Sequence, residues 1–585
     1  MIHLENTIKM PLKTAELIDS ARSFSKDGRW FRDSQGRYLI FRGVNFGSRS
    51  KLAPYLPIAP LDIRNINQLD LKKEIDSVKP ELDLLKQLGF NIIRLLISWK
   101  AIEPKPNPNP DEILPEGRQY LGLVKEIIDT LYARGLYVLL DFHQDIAHEI
   151  YGGDGFPDWA LAIDEKHKRP QPSNLRDKKW QVAYLVNKLV KNTLQSFWQN
   201  NLTNKEAGLQ NYPVRTHLEK TIGQTLKFFK SSASNNQKEE GEPAILGVEP
   251  FNEPHPVGLQ DFEQKLLFQY YLNVEEEVRK FDDRIFLFIE PGVDWTLSER
   301  GDKPKSAPSP FSIKRTFNLG FIRNTMVEGK VLTKNINTYL PKDSSSLERL
   351  RNRGVLSFHY YEPLAILGTF AKIPDNMPRY KQEWPDIFAQ MVEAATERDL
   401  IPFMTEFGGF QGAEQIRDFI DLQFVQIESN LLNTTYWNYD LYNTVEGKDN
   451  WNLEDYSLLG PNRTPRNIDV IARPYPMRSS AEPTLLFFDS ESKYAAIILN
   501  GAVLRGTPTV IYVPYHYHYS PEFRLWATSK EVEWDKENQL LYWYPATDQD
   551  VNQIIIGTTP NLDTKSLPKR VKTLLDKTEL VNTFS

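Results

Sequence analysis

Two glutamates stand where acid chemistry can be done. Glu253, in Phe251-Asn252-Glu253-Pro254, follows the apolar run Ala244-Ile245-Leu246-Gly247-Val248. Glu406, in Thr405-Glu406-Phe407-Gly408, follows Leu400-Ile401-Pro402-Phe403-Met404, about 150 residues further on. Short, unalternating apolar runs are the pattern of strands buried on both faces. Two carboxyl groups facing one pocket suit cleavage of a glycosidic bond: one acid protonates the leaving oxygen and one carboxylate works on the opposite face of the sugar. Neither string is specific alone.

The elements around them make a regular series. Apolar runs at 41–46, 91–97, 136–142, 245–251, 285–289, 355–359, 401–405 and 434–437 read as eight strands. Between them lie helical patterns. Lys79-Pro80 opens one with Leu82, Leu85 and Leu88 on one face, closed by Gly89. Another spans 119–134, with Leu121, Val124, Ile128 and Leu131 in register and Gly135 after it. Further helices fit 261–280, 385–398 and 413–432. Strand and helix in alternation mean a parallel sheet with crossover helices. Eight such units predict an α/β fold, a (β/α)₈ TIM barrel, with its site at the C-terminal strand ends. Two insertions, at about 160–243 and 291–354, interrupt the series and are expected to wall or partly cover the cleft. Within the first, the polar stretch 231–241 reads as a loop. After Arg473-Pro474-Tyr475-Pro476, short β-rich runs separated by turns predict a small C-terminal antiparallel β-sandwich. The domains are therefore expected at 1–475 and 476–585, with a hairpin at 27–40 leading into the first barrel strand.

Composition excludes several classes. Net charge is −6, so the basic balance of a nucleic-acid binder is missing. There is no cysteine, which removes disulfides and thiolate chemistry. No apolar run reaches membrane-spanning length, and the N-terminus Met1-Ile2-His3-Leu4-Glu5-Asn6 lacks a signal-peptide pattern, so a cytoplasmic protein is expected. A metal centre is not expected: His143-Gln144-Asp145 and His148-Glu149 do not form a His-Glu-x-x-His pattern. No cofactor is called for.

The strand ends carry, in order, Arg94, then Asp141-Phe142-His143-Gln144-Asp145, Asn252-Glu253, His359-Tyr360-Tyr361, Glu406 and Trp437. Singly, a strand arginine is ordinarily a structural ion pair, a lone histidine a satisfied polar residue, and a lone tryptophan core. Jointly, from about residue 30 to 475, the set resembles the retaining β-glycosidases of glycoside hydrolase family 5. The resemblance implies Glu253 as acid/base and Glu406 as nucleophile. The physics agrees: burial beside Asn252 favours neutral Glu253, while Arg94 and a hydrogen bond from Tyr361 keep Glu406 ionised. Asn252 is placed to bind the sugar 2-hydroxyl, His143 and His359 to reach hydroxyls or orient Glu253, and Trp437 to offer a flat face to the ring. Glu290, in Ile289-Glu290-Pro291-Gly292, also ends a strand but lacks such partners; it reads as a supporting group or substrate contact, and Glu249 as structural.

Further strings point to one branch. His143-Gln144-Asp145, the loop Gly152-Gly153-Asp154-Gly155-Phe156-Pro157-Asp158-Trp159 and Arg473-Pro474-Tyr475-Pro476 resemble the endoglycoceramidase and glucosylceramidase relatives within the family. By that resemblance, Lys51 and Asp145 bind glucose hydroxyls. Phe156, Pro157 and Trp159 are expected to line one side of an apolar slot for a lipid aglycone, with Trp159 a substrate contact, in preference to the alternative that they only pack their loop on the barrel. The leading expectation is a β-glucosidase for glucosides with a large apolar aglycone, such as glucosylceramide or steryl glucoside, with peripheral contact with lipid compatible with it. An endo-β-1,4-glucanase and a non-catalytic carbohydrate-binding barrel are the alternatives; retention of both glutamates with their partners argues against the latter. Oligomeric state is not set by the sequence.

Overall fold

The computed structural model describes residues 19–162, 183–203, 212–232, 241–293, 297–298, 315–319, 322–327, 330–336, 340, 345–361, 373–558 and 579–584. The expectations for the first six residues, for 233–240 of the polar stretch and for most of the 291–354 insertion lie outside them.

The strands, in chain order, begin with β1 (Ser25–Asp27), β2 (Trp30–Arg32), β3 (Tyr38–Leu39), β4 (Arg42–Phe46), β5 (Ile92–Ile97), β6 (Tyr137–Phe142), β7 (Ile245–Glu249) and β8 (Phe286–Ile289). β9 (Leu297–Ser298), β10 (Arg315–Leu319), β11 (Ile322–Val327) and β12 (Lys330–Ile336) form a separate antiparallel sheet within the second insertion. Then come β13 (Gly354–Tyr360), β14 (Ile401–Phe407) and β15 (Asn433–Tyr439). β4 to β8 and β13 to β15 close into a barrel in the order β13-β14-β15-β4-β5-β6-β7-β8, every pair parallel. This is the (β/α)₈ fold, and all eight barrel strands are buried along their length.

Alternation along each strand sorts side chains to two faces. In β5, Ile93, Leu95 and Ile97 join the large core under the outer helices, whereas Ile92 lies in a second core at the barrel floor. β6 does the same: Val138, Leu140 and Phe142 face the helices, and Tyr137 and Leu139 face the floor. Arg94, Asp141 and His143 continue the inward series, which is why they meet. Ala21, Phe24, Phe31 and Leu39, from the segment ahead of the barrel, pack with Ile92, Phe286, Val355 and Ile401 and close the floor.

The outer helices start where proline allows. Lys79–Gln87 buries Leu82 and Leu85, and Pro115–Tyr132 buries Leu121, Val124, Ile128 and Leu131. The helix expected from Pro385 runs Ile373–Thr396 with Pro378 and Pro385 inside it, so its proline is internal and not a start signal. The 261–280 helix begins as a π-turn, Phe262–Leu267, before Phe268–Arg279.

Beyond the barrel, β16 (Tyr475–Ser479), β17 (Glu482–Phe488), β18 (Ala495–Asn500), β19 (Thr509–Tyr512), β20 (Phe523–Ala527), β21 (Val532–Asp535), β22 (Leu540–Trp543), β23 (Val551–Gly557) and β24 (Glu579–Phe584) make two antiparallel sheets. One runs β1-β2-β3-β16-β19-β22-β21 and the other β17-β18-β23-β20-β24. Ile511, Leu541 and Trp543 of the first pack with Leu486, Ile497, Leu525 and Ile554 of the second. The N-terminal hairpin is thus part of the C-terminal sandwich through β3–β16 pairing, Arg478 opposite Leu39. The sandwich docks on the barrel at the end of helix Lys79–Gln87: Tyr475 Oη donates to Gly89 O (2.6 Å), and Tyr512 Oη (2.6 Å) and Gln539 Nε2 (2.9 Å) donate to Gln87 O.

Candidate active site

Arg94 is the hub of the barrel mouth and is fully buried. Its Nε donates to Glu249 Oε2 (2.5 Å); Nη1 donates to Asn45 Oδ1 (2.8 Å) and Glu406 Oε1 (2.6 Å); Nη2 donates to Asn252 Oδ1 (2.8 Å) and sits 3.2 Å from Asp141 Oδ1. Burial opposes its charge, but Asp141, Glu249, Glu406 and Glu290 outweigh that and hold it protonated. Beneath it, Glu249 also accepts from Ser357 Oγ, and Asn45 Nδ2 donates to Thr405 O (2.8 Å). The register of β13 against β14 slips between Phe358 and His359, so that His359 pairs with Glu406 and skips Thr405. That bulge lets Thr405 and Glu406 both turn inward.

Glu406 is held at both oxygens. Arg94 takes Oε1, and Tyr361 Oη donates to Oε2 at 2.8 Å. Glu253 is held differently. Its backbone is in the left-handed region (φ 44), its N–H donates to Glu290 Oε2 (2.8 Å), and Oε1 pairs with His359 Nδ1 (2.9 Å). Burial, then the charge of Asp145, pushes its carboxyl up to about 8. Burial likewise lowers His359, whose Nε2 has no partner among the described residues. His359 Nδ1 also lies 3.6 Å from Glu406 Oε2, and one oxygen of Glu253 lies within 4.8 Å of one of Glu406. One carboxyl is kept neutral and the other ion-paired, across a gap that a sugar carbon can occupy.

A second group lies beside them. His143 Nδ1 donates to Asp141 Oδ2 (2.6 Å), and its ring stacks on Trp437 at 5.6 Å and 11°. Burial works against its charge; Asp141 overcomes it and raises His143 to about 10. Lys51 Nζ donates to Asp145 Oδ2 (2.6 Å) and lies over Trp437 (4.6 Å) and Trp451 (3.8 Å). Asp154 pairs its backbone with Asp145, and burial, then that neighbour's charge, lifts its carboxyl to about 7. Together these groups offer donors, acceptors and two aromatic faces, the complement of a hexose.

The structure therefore gathers Glu253, Glu406, Arg94, Asn252, His143, His359, Tyr361, Trp437, Lys51 and Asp145 at one end of the barrel. Trp159 is the exception. It is 6% exposed, its Nε1 donates to Glu103 O (2.9 Å), and its ring is wedged between Trp99 (5.4 Å) and His217 (5.3 Å). Phe156 packs on Trp99, Phe197 and Phe251. These residues seat their loop on the barrel wall, so the apolar slot expected from them is not built there: in an aromatic-rich insertion, packing won over lining. Glu290 supports the Glu253 backbone and Glu249 pairs with Arg94, as supporting groups. Asn45, Asp141, Asp154 and Trp451 received no role from sequence. Asp141 was findable, because it sits two residues before His143 on the same strand face; Trp451 was not, because only folding brings its loop over Lys51.

Among the described residues, four clusters have ligand-type atoms close together, including His143-Asp145-Asp154 and Glu253-His359-Glu406. In the second, His359 Nδ1 lies 2.9 Å from Glu253 Oε1 and 3.6 Å from Glu406 Oε2; in the first, His143 Nε2 lies 3.3 Å from Asp145 Oδ2.

Residues 60–443 match the family model Cellulase (glycosyl hydrolase family 5). A glucosylceramidase of Rhizopus delemar is 21% identical over 92% of this chain and 96% of its own length. The solved structure of sterylglucosidase 1 from Cryptococcus neoformans superposes with a TM-score of 0.67 at 15% identity, over 93% of this chain and 98% of that one. Endo-glycoceramidase II from Rhodococcus sp., in a ganglioside GM3 complex, superposes with a TM-score of 0.62 at 20% identity, over 91% and 100%. At these identities the structural likenesses establish the fold.

Proposed function

The chain belongs to glycosyl hydrolase family 5, the cellulase family, and we propose that it is a retaining β-glucosidase acting on glucosides with a large apolar aglycone, such as glucosylceramide or a steryl glucoside. The observation that carries the reading is the carboxyl pair, with oxygens of Glu253 and Glu406 within 4.8 Å. Retention uses carboxyl groups about 5–5.5 Å apart, whereas inversion needs about 6.5–9.5 Å to admit a water.

The roles follow from the partners. Glu406 attacks the anomeric carbon as Glu253 passes its proton to the glycosidic oxygen; the C–O bond breaks and the aglycone alcohol leaves. Glu253, now a carboxylate, takes a proton from water, which attacks the anomeric carbon and releases Glu406. Asn252 receives the sugar 2-hydroxyl, and Lys51, Asp145, His143 and Trp437 hold the ring. The lipid aglycone is supported by the His143-Gln144-Asp145 and Arg473-Pro474-Tyr475-Pro476 strings and by relatives named glucosylceramidase and sterylglucosidase that align over nearly the whole chain.

The test is a panel of glucosylceramide, lactosylceramide, steryl glucoside, carboxymethyl-cellulose and an aryl β-glucoside, with the anomer of the first product followed by NMR. Retained configuration and a preference for a glucosyl lipid are expected. An inverted product would refute the double displacement. Efficient cutting of carboxymethyl-cellulose with no action on any glucosyl lipid would refute the aglycone assignment. Glu253→Gln is expected to slow poor leaving groups far more than activated aryl glucosides, and Glu406→Gln to abolish turnover of both.

A further inference from the structure

The loop that carries Glu253 leaves the barrel with little regular structure of its own. Glu253 and Val257 both have φ 44, and prolines 254 and 256 remove two donors. Left-handed backbone at non-glycine residues persists only where the surroundings hold it. From the barrel side, Gln144 Nε2 donates to Asn252 O (2.8 Å) and Glu290 accepts the Glu253 N–H. Val293 N–H also donates to Pro254 O (2.9 Å), and a further hold comes from the first insertion. Its helix Lys188–Trp198 sends Trp198 Nε1 to His255 O (3.1 Å) and Gln195 Nε2 to Val257 O (2.8 Å), and the Trp198 ring lies 4.8 Å from Phe251. Its short helix Ala183–Val186 lays Tyr184 flat on His255, with ring centroids 4.1 Å apart and planes 2° apart. The Tyr184 hydroxyl then accepts the N–H of Ile146, itself left-handed at φ 53, on the loop bearing His143 and Asp145. Tyr184 and Trp198 are essentially inaccessible to solvent.

We propose that the insertion after the third barrel strand is a brace for the proton donor. Tyr184, Gln195 and Trp198 are positioning residues: they touch neither sugar nor reacting atoms, but they fix the Glu253 loop from outside and tie it to the loop of His143 and Asp145. Proton transfer needs the acid within hydrogen-bond reach of the leaving oxygen, and a displacement of about 1 Å costs on the order of 100-fold. A brace acting on Glu253 alone leaves the attack by Glu406 untouched, and that separates it from a general contribution to folding. The proposal rests on Glu253 being the acid.

Trp198→Phe deletes the N–H donor to His255 O. Gln195→Met, at a half-buried position, removes the bond to Val257 O without opening the core, so one variant stays informative if Trp198→Phe does not fold. Each is compared with the unaltered enzyme and with Glu253→Gln, using kcat/KM for a glucosyl lipid or alkyl glucoside and for a dinitrophenyl glucoside. kcat/KM reports only glycosyl transfer to Glu406, so the second step does not intrude. The expected result is a loss of about 10- to 100-fold on the poor leaving group with the activated substrate within about threefold. Equal losses on both substrates, or a lowered Tm with an unchanged ratio of the two, overturn the brace. If Glu253→Gln itself shows no leaving-group dependence, the acid assignment fails instead, and the two failures are told apart.

Discussion

At the scale of residues, the site works by giving two identical side chains opposite surroundings. Glu406 meets a fixed cation and a phenol donor; Glu253 meets an imidazole whose charge burial disfavours, the carboxyl of Glu290 behind its backbone and, among the described residues, no direct cation. The pH dependence follows from the sign of the Glu253 shift. Its proton is needed on the enzyme, so kcat/KM on a poor leaving group should be level at neutral pH and fall as pH rises through about 8. The same shift bears on stability. The folded state holds this proton from the ordinary value of 4.5 up to about 8, so stability is full below 4.5 and declines across that window. Glu253→Gln removes the titration. Its Tm relative to the unaltered protein should therefore rise between pH 4.5 and pH 8, and a gap independent of pH would show that burial does not raise this carboxyl.

At the scale of elements, the strands set the chemistry and the loops hold it. Inward-facing positions of β5 and β6 deliver Arg94, Asp141 and His143 by alternation alone, and the bulge in β14 adds Glu406. The loop after β6 does two jobs: its first residues reach the site, and its Phe156–Trp159 end is driven into a cluster with Trp99, Phe197 and His217. Trp159→Ala should therefore act through packing. A loss of about 3–5 kcal/mol in chemical denaturation is expected, with the ratio of glucosyl-lipid to cellobiose activity preserved. A stable variant with a changed substrate ratio would restore the slot.

At the scale of the whole molecule, Arg473 joins barrel to sandwich. Its Nε and Nη2 donate to the two oxygens of Glu428, both at 2.8 Å, Nη1 donates to Asp421 (2.5 Å), and Nη2 also donates to Phe488 O (3.0 Å). Glu428 is shared with Arg42 at the start of β4 (3.1 Å). Arg473 is fully buried, and burial is outweighed by Glu428 and Asp421, which keep it charged. Arg473→Met leaves Glu428 partly unpaired inside the protein, at a cost of about 3–5 kcal/mol. Differential scanning calorimetry should show the melting transition lowered; an unchanged Tm would mean that the junction carries no load.

The sequence by itself determined the barrel, the order of its strands and the acids at their ends. Buried parallel strands are nearly continuous apolar runs, and a polar residue at the end of such a run has one place to go. It also marked the sandwich, but nothing local told that the N-terminal hairpin would join it. Tertiary structure alone decided the rest: the arginine hub shared by three carboxylates, Trp451 over Lys51, the burial of Trp159, and the grip of Tyr184 and Trp198 on the Glu253 loop. The reason is physical. Periodicity reports which face of an element is apolar, but a hydrogen bond between residues far apart in the chain depends on where two loops come to rest, and no local pattern encodes that.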